Sequence, residues 1–170
     1  LPLIGDEKKD IEAVKAGAMR GDAKMQTRLG AIYDIGAGVP RNPKEAEKWY
    51  RKAAEQGLAE AQFVLGSMHD SETNRGIPED NKEAVKWYRK AAEQGNADAQ
   101  LQLGVKYIFG EGVLEDSVTG YAWLNIAAAN GEEVAKSQKD IEANLMTPEQ
   151  IAKGQELSKE MVKKNPRLLN

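Results

Sequence analysis

The string WYRKAAEQG occurs twice without a change, at Trp49–Gly57 and at Trp87–Gly95. Each copy sits inside a longer match, Asn42–Gly66 (NPKEAEKWYRKAAEQGLAEAQFVLG) against Asp80–Gly104 (DNKEAVKWYRKAAEQGNADAQLQLG). A third, looser copy, WLNIAAANG, runs from Trp123 to Gly131. Gly21, Gly57, Gly95 and Gly131 are equivalent at spacings of 36, 38 and 36 residues. Self-similarity at one period of roughly 35–40 residues means that every copy folds as the same small unit. Such a unit buries its apolar face only by stacking on its neighbours. The chain is therefore expected to be a stacked repeat protein.

Each unit reads as two helices. In the second, Ala46, Trp49, Tyr50, Ala53 and Ala54 recur at intervals of three and four residues, one apolar stripe at the helical period. Rings beside alanines let helices approach closely while the rings fill the gaps, so Trp49/Tyr50, Trp87/Tyr88 and Trp123 are expected in the core. Asn42-Pro43-x-Glu45 supplies an N-cap, a proline at the first helical position and an acidic first turn; Asp80-x-x-Glu83 repeats the cap without the proline. Gly57 and Gly95 fit the left-handed stop after a helix. The first helix carries Leu29-Gly30, Leu65-Gly66 and Leu103-Gly104, with Tyr33, His69 and Tyr107 in a third equivalent set.

Gly36-Ala-Gly38-Val39 and Gly110-Glu-Gly112-Val113 are matching turns between the helices of a unit. Neither has the G-x-x-x-x-G-K-[ST] pattern of a phosphate loop. The middle copy has Asp70–Ile77 instead, two residues longer. The ends are atypical. Lys8–Arg20 aligns with a second helix but has Ala13 in the tryptophan slot, and after Gly131 the L-G-x-x-Y element is missing. A helix to about Asn144 and a polar last helix opened by Thr147-Pro148-Glu149-Gln150 are expected there. The domain plan is an N-terminal capping helix (1–21), repeats at 22–57, 58–95 and 96–131, and C-terminal capping helices (132–170). About nine helices and no strand follow, since nothing alternates at period two.

The pattern A-x-x-x-L-G-x-x-Y-x-x-G-x-G-V followed by D-x-x-x-A-x-x-W-Y-x-x-A-A-x-x-G resembles the Sel-1-like repeat, a relative of the tetratricopeptide repeat. Here it stands as Ala99, Leu103, Gly104, Tyr107, Gly110, Gly112, Val113, Asp116, Trp123, Ala127, Ala128 and Gly131. His69 for Tyr, Gly120 for Ala and Leu124 for Tyr depart from it. The resemblance implies an all-α fold, an α–α superhelix of helix pairs acting as an adaptor or scaffold for a protein or peptide. Many bacterial members are exported, and some cysteine-rich ones are linked to β-lactams. This chain has no cysteine. By analogy with the tetratricopeptide superhelix, the first helix of each pair lines the concave face. The candidate contact residues are then Lys24, Thr27, Ala31 and Asp34; Glu60, Phe63, Ser67 and Asp70; and Asp98, Leu101, Val105 and Ile108. The third set is apolar and rimmed by carboxylates, which suits an amphipathic or basic peptide. Alternatively, Leu101, Val105 and Ile108 pack under the helix Pro148–Lys163.

Other chemistries have thinner support. His69 is the single histidine, and its register slot reads as a packed residue rather than a ligand or base, since metal sites and triads need several convergent partners. A cell-wall or β-lactam hydrolase would take its nucleophile from Ser67, Ser71, Ser117 or Thr119, with no base placed to activate one. A calcium loop over Asp70–Asn81 has Arg75 at position six and Asn81 at position twelve, where glycine and glutamate are needed. A structural spacer in an envelope complex is a third reading. No cofactor or metal is expected. With 24 basic and 27 acidic residues there is no basic stripe for a nucleic acid, and no apolar run reaches the ~20 residues of a membrane span. The chain begins with Leu1, which fits a removed export signal or a trimmed fragment. The expected compartment is periplasmic or extracellular, with the cytoplasm as the alternative, and a monomer is favoured.

Overall fold

The structure, a computed structural model, describes residues 5–70 and 77–169, with side chains from Lys9 onward. The described residues form nine α-helices and no strand: α1 Gly5–Met19, α2 Ala23–Ile35, α3 Pro43–Glu55, α4 Ala59–His69, α5 Asn81–Ala92, α6 Ala97–Phe109, α7 Ser117–Ala129, α8 Glu133–Ala143 and α9 Pro148–Lys164. A short 3-10 turn, Pro166–Leu168, closes the described chain. The helices fall into two compact units, Leu1–Glu79 and Asp80–Asn170, divided between the two helices of the 58–95 repeat. The expected insertion at Asp70–Ile77 lies largely outside the described residues.

The repeated sequence produces repeated backbone bonds. At the four equivalent glycines φ is +94°, +94°, +87° and +88°, a left-handed conformation that L side chains rarely adopt. Each such stop closes the preceding helix with the same pair of bonds: Gly57 N–H donates to Ala54 O and Leu58 N–H to Ala53 O, as Gly131 and Glu132 do to Ala128 and Ala127. Asp22, Asn42, Asp80, Asn96 and Asp116 then cap the helices that follow them. Thr147 and Gln150 form a reciprocal capping box at the start of α9. Within the first and third repeats the turn is tied by one bond in register, Asn42 N–H to Tyr33 O and Asp116 N–H to Tyr107 O, both 2.8 Å.

In the first unit, Val14, Ala18 and Leu29 form a core against which Met25, Ile32, Tyr33 and Trp49 pack. Trp87 and Trp123 are buried, as their spacing predicts, and Trp87 Nε1 donates to Glu83 Oε1 at 2.7 Å. Trp49 is only half-buried, a correction to the core reading: one side meets the α1–α2 core while Lys52 Nζ sits 4.2 Å from the ring centroid. The two departures at 120 and 124 form one coupled change. Leu124 is smaller than the tyrosine that stands at 50 and 88, and a Cβ on Gly104 would meet both Leu124 Cδ2 and Gly120 O at 3.0 Å, so α6 and α7 lie close together here. A methyl at Gly120 would lie 2.8 Å from Gly104 O and 2.6 Å from Ile108 Cγ1.

A second set of equivalent residues was not singled out by the aromatic pattern. Gln26, Gln62 and Gln100 are all buried, and each donates across eight residues to a carbonyl at the end of the preceding helix: Ala18 O at 3.1 Å, Ala54 O at 3.0 Å and Ala92 O at 3.1 Å. These bonds give a second donor to helix-end carbonyls that already accept from the N–H of the stop glycine, using both lone pairs where stacking limits access to water. Gln100 also donates to Leu168 O at 2.8 Å, joined there by Asn130 Nδ2 at 2.6 Å. Asn165 Nδ2 donates to Glu93 O at 2.8 Å, so the 3-10 turn is pinned to the second unit.

Candidate functional site

The expected contact residues divide by burial. Lys24, Glu60 and Asp98 are exposed, and Ala31, Asp34 and Phe63 are half-buried, Asp34 lying 3.8 Å from Arg41 Nη2. Thr27, Ser67, Asp70 and Leu101 are buried, which corrects their assignment to an accessible face. The Thr27 and Ser67 hydroxyls donate to carbonyls of their own helix, Ala23 O and Val64 O, both at 2.9 Å. Leu101 belongs to a core with Leu124, Ala127 and Ala135. Val105 and Ile108 pack against that core from its edge. The cover over these three residues comes from α7 and α8, whereas α9 packs on α7, with Gly154 against the Tyr121 ring and Val118 O. The expectation that Pro148–Lys163 lies over Leu101, Val105 and Ile108 is corrected accordingly.

Beyond that edge a groove of about 390 Å³ opens between α6 and α8. Val105, Ile108 and Phe109 line it from α6; Ile141, Glu142 and Leu145 line it from α8 and the residues after it; Met146 is also part of the lining. Three large apolar side chains stand open to solvent here: Phe109 is 67% exposed, Ile141 56% and Leu145 78%. Among the described residues, the only ionisable groups lining the groove are Glu115 and Glu142. An apolar concavity with acidic groups and no cation is suited to holding a side chain or short segment of opposite charge.

Sequence reasoning missed Phe109, Ile141, Glu142 and Leu145, although their register carried the signal. Phe109 and Leu145 are equivalent, one period apart, and share their slot with Ile35, which is 72% exposed. An apolar residue at an exposed slot in three of the four equivalent positions, with Ser71 in the other, is what the reading by helical stripe passes over.

The remaining candidates resolve into structural roles. His69 Nε2 lies 3.3 Å from both Arg51 Nη2 and Glu47 Oε1, which matches Arg89 Nη2 donating to Tyr107 Oη at 2.7 Å in the next copy. The histidine thus fills the tyrosine's place as partner to the same arginine. One period further on, Asn125 and Ala143 occupy those two slots. Alanine offers no acceptor, and Asn125 Nδ2 is buried with no hydrogen-bond partner. Thr119 Oγ1 donates to its own N-cap, Asp116 Oδ2, at 2.7 Å; Ser117 lines the groove; Ser71 is outside the described residues. Asn81 opens α5, and its Oδ1 accepts from Lys106 Nζ at 2.9 Å; residues 71–76 of the calcium-loop pattern are outside the described residues. Gly112 lies so close to Asn81 O (2.3 Å from a built Cβ) that its loop is packed as a turn. No group of three or more His, Cys, Asp or Glu among the described residues is placed to hold a metal ion. No described helix is long and apolar enough to cross a membrane. Asp98, though exposed as a residue, has a partly desolvated carboxyl; that desolvation first, and then the adjacent Glu132 carboxylate, raise it above the usual carboxylate range.

Comparison with known proteins fits this architecture. The Sel1 repeat profile matches residues 23–58, 59–96 and 97–132. A Sel1 repeat protein from Oxalobacter formigenes has a crystal structure that superposes with a TM-score of 0.70 at 39% identity, over 78% of this chain and 98% of that one. The protective antigen c5321 of uropathogenic Escherichia coli, described as displaying an SLR fold, superposes with a TM-score of 0.54 at 31% identity, over 94% of this chain and 42% of that one. Among curated proteins, DAP3-binding cell death enhancer 1 of Rattus norvegicus is 37% identical over 67 residues and an F-box protein of Arabidopsis thaliana is 38% identical over 61. Those alignments cover 39% and 36% of this chain but only 13% and 17% of the two relatives. The fold is typically that of a non-enzymatic scaffold. This chain belongs to the Sel1 repeat family, whose repeats generally serve as protein–protein interaction scaffolds.

Proposed function

We propose that the chain is an adaptor that receives a segment of another protein in the groove between α6 and α8. One observation carries the reading: Phe109, Ile141 and Leu145 expose large apolar side chains around a single concavity. Isolated exposed apolar residues are ordinary, but a group of them around a pocket is a recognition feature. One wall comes from α6, the first helix of the third repeat, and the other from α8, the helix that follows the last repeat.

The test is site-specific photo-crosslinking in the source cell, with the crosslinking residue at Phe109 or Leu145, and at Glu55 on α3 as the comparison. A discrete adduct with another protein from the two groove positions, lost when Leu145→Glu is added, is the expected result. Adducts of the same yield from Glu55, or none from the groove, would overturn the assignment.

A further inference from the structure

Glu142 is the residue in the groove that its surroundings do not explain. It is 7% exposed, lines the groove, and makes no side-chain hydrogen bond or ion pair with any described residue. Its carboxylate oxygens are not sealed from solvent, so they open onto the groove, where a cation from outside can reach them; a carboxylate on a mostly buried residue is normally paired. The repeat itself shows what a paired residue looks like in this slot. Ile32, Met68, Lys106 and Glu142 are equivalent by period. Lys106 is 2% exposed, and its ammonium is held by Glu111 Oε2 at 2.6 Å and Asn81 Oδ1 at 2.9 Å. The residues at the corresponding positions around Glu142 are Ser117 and Thr147, and neither supplies a positive charge. The third repeat thus contains the counter-charge for Lys106, whereas among the described residues the segment after Gly131 supplies none for Glu142.

Resting on the adaptor reading, we propose that the missing counter-charge belongs to the partner. The groove takes an amphipathic helical segment whose apolar face meets Phe109, Ile141 and Leu145. One basic residue on it, arginine in preference to lysine, pairs with Glu142. Arginine suits the site because its planar guanidinium matches a carboxylate with two parallel N–H donors and is less strongly hydrated than an ammonium. Glu115, also on the groove lining, adds a second negative charge that favours basic over acidic segments.

The experiment is selection of a displayed random peptide library, about twelve residues or three helical turns long, on the full chain. Affinities of the selected peptides are then measured for wild type, Glu142→Gln and Leu145→Ser. The expected peptides carry arginine or lysine three or four positions from apolar residues. Their binding weakens on the order of tenfold or more with Glu142→Gln and also weakens with Leu145→Ser. The melting temperature of Glu142→Gln should stay level or rise, because the substitution removes an unpaired charge; a purely structural glutamate would instead show a fall. Selected peptides without a cation, equal affinity for Glu142→Gln, or no selection at all would overturn the inference. So would a wild-type dimer that Leu145→Ser converts to monomer, since the occupant would then be a second copy. The two readings fail separately. A cellular crosslink lost with Leu145→Glu but kept with Glu142→Gln leaves the adaptor standing and removes the ion pair, whereas absence of any groove crosslink removes the adaptor.

Discussion

Gly120→Ala tests the packing argument at a point where α6 and α7 lie close together. Alanine is the better helix former, by about 1 kcal/mol, so on an open helix the change would stabilise. Here the new methyl meets Ile108 Cγ1 at 2.6 Å and Gly104 O at 2.8 Å, against an ordinary carbon contact of roughly 3.5–4.0 Å. Ile108 can shift, but the Gly104 carbonyl is helix backbone, so α7 must move off α6. That movement loosens Leu124, which is fully buried against Gly104. Overpacking of this kind costs about 1–3 kcal/mol. After the helix-forming gain, a net loss of up to about 2 kcal/mol is expected, or a fall of up to roughly 8 °C in melting temperature for a chain of this size. Thermal unfolding followed by far-ultraviolet circular dichroism measures it. Adding Ile108→Ala should recover only part of the loss, because the carbonyl contact remains. In the equivalent slots the sign reverses: Ala46 and Ala84 are fully buried, and glycine at either should destabilise. A melting temperature for Gly120→Ala above wild type would refute the reasoning, since it would mean α7 has room beside α6.

Trp87→Ala, removing a 2%-exposed ring and its bond to Glu83, should cost about 3–5 kcal/mol, and an unchanged unfolding midpoint would contradict its place in the core. Gln100→Leu keeps the volume but strips donors from Ala92 O and Leu168 O, so a loss of about 1–3 kcal/mol is expected. The same variant should be trimmed faster by carboxypeptidase from its C-terminus, and trimming at the wild-type rate would show that Gln100 does not hold that end. Asp98 has a raised carboxyl pKa, so the folded state binds this proton more tightly than the unfolded chain does. Its effect is most favourable below the usual carboxylate pKa and is lost as pH rises through the raised value. Asp98→Asn should therefore gain on wild type as pH rises from about 3 to 7, and parallel stability profiles would count against the Asp98–Glu132 repulsion.

Much of this architecture is legible in the sequence because the information is local and repeated. A glycine stop, an Asx cap and an alanine–aromatic stripe act within one or two helical turns, and each appears several times at a fixed offset. One copy therefore checks another. The period even carried the pairings, since the eighteen-residue step from Arg51 to His69 recurs from Arg89 to Tyr107. The glutamine series at 26, 62 and 100 was equally periodic but looks like surface polarity until the buried carbonyls are seen.

Tertiary structure alone decided which faces are covered. Leu101 on α6 and Ile141 on α8 are both large apolar residues in helices that follow a glycine stop. Leu101 is buried with Leu124, Ala127 and Ala135, while Ile141 is open. Helical periodicity says which way a side chain points, but not what stands there, because that depends on contacts from residues tens of positions away. The same holds for Glu142. The sequence shows a glutamate in a slot filled elsewhere by isoleucine, methionine or lysine, and only the packed helices show that no other described residue answers its charge.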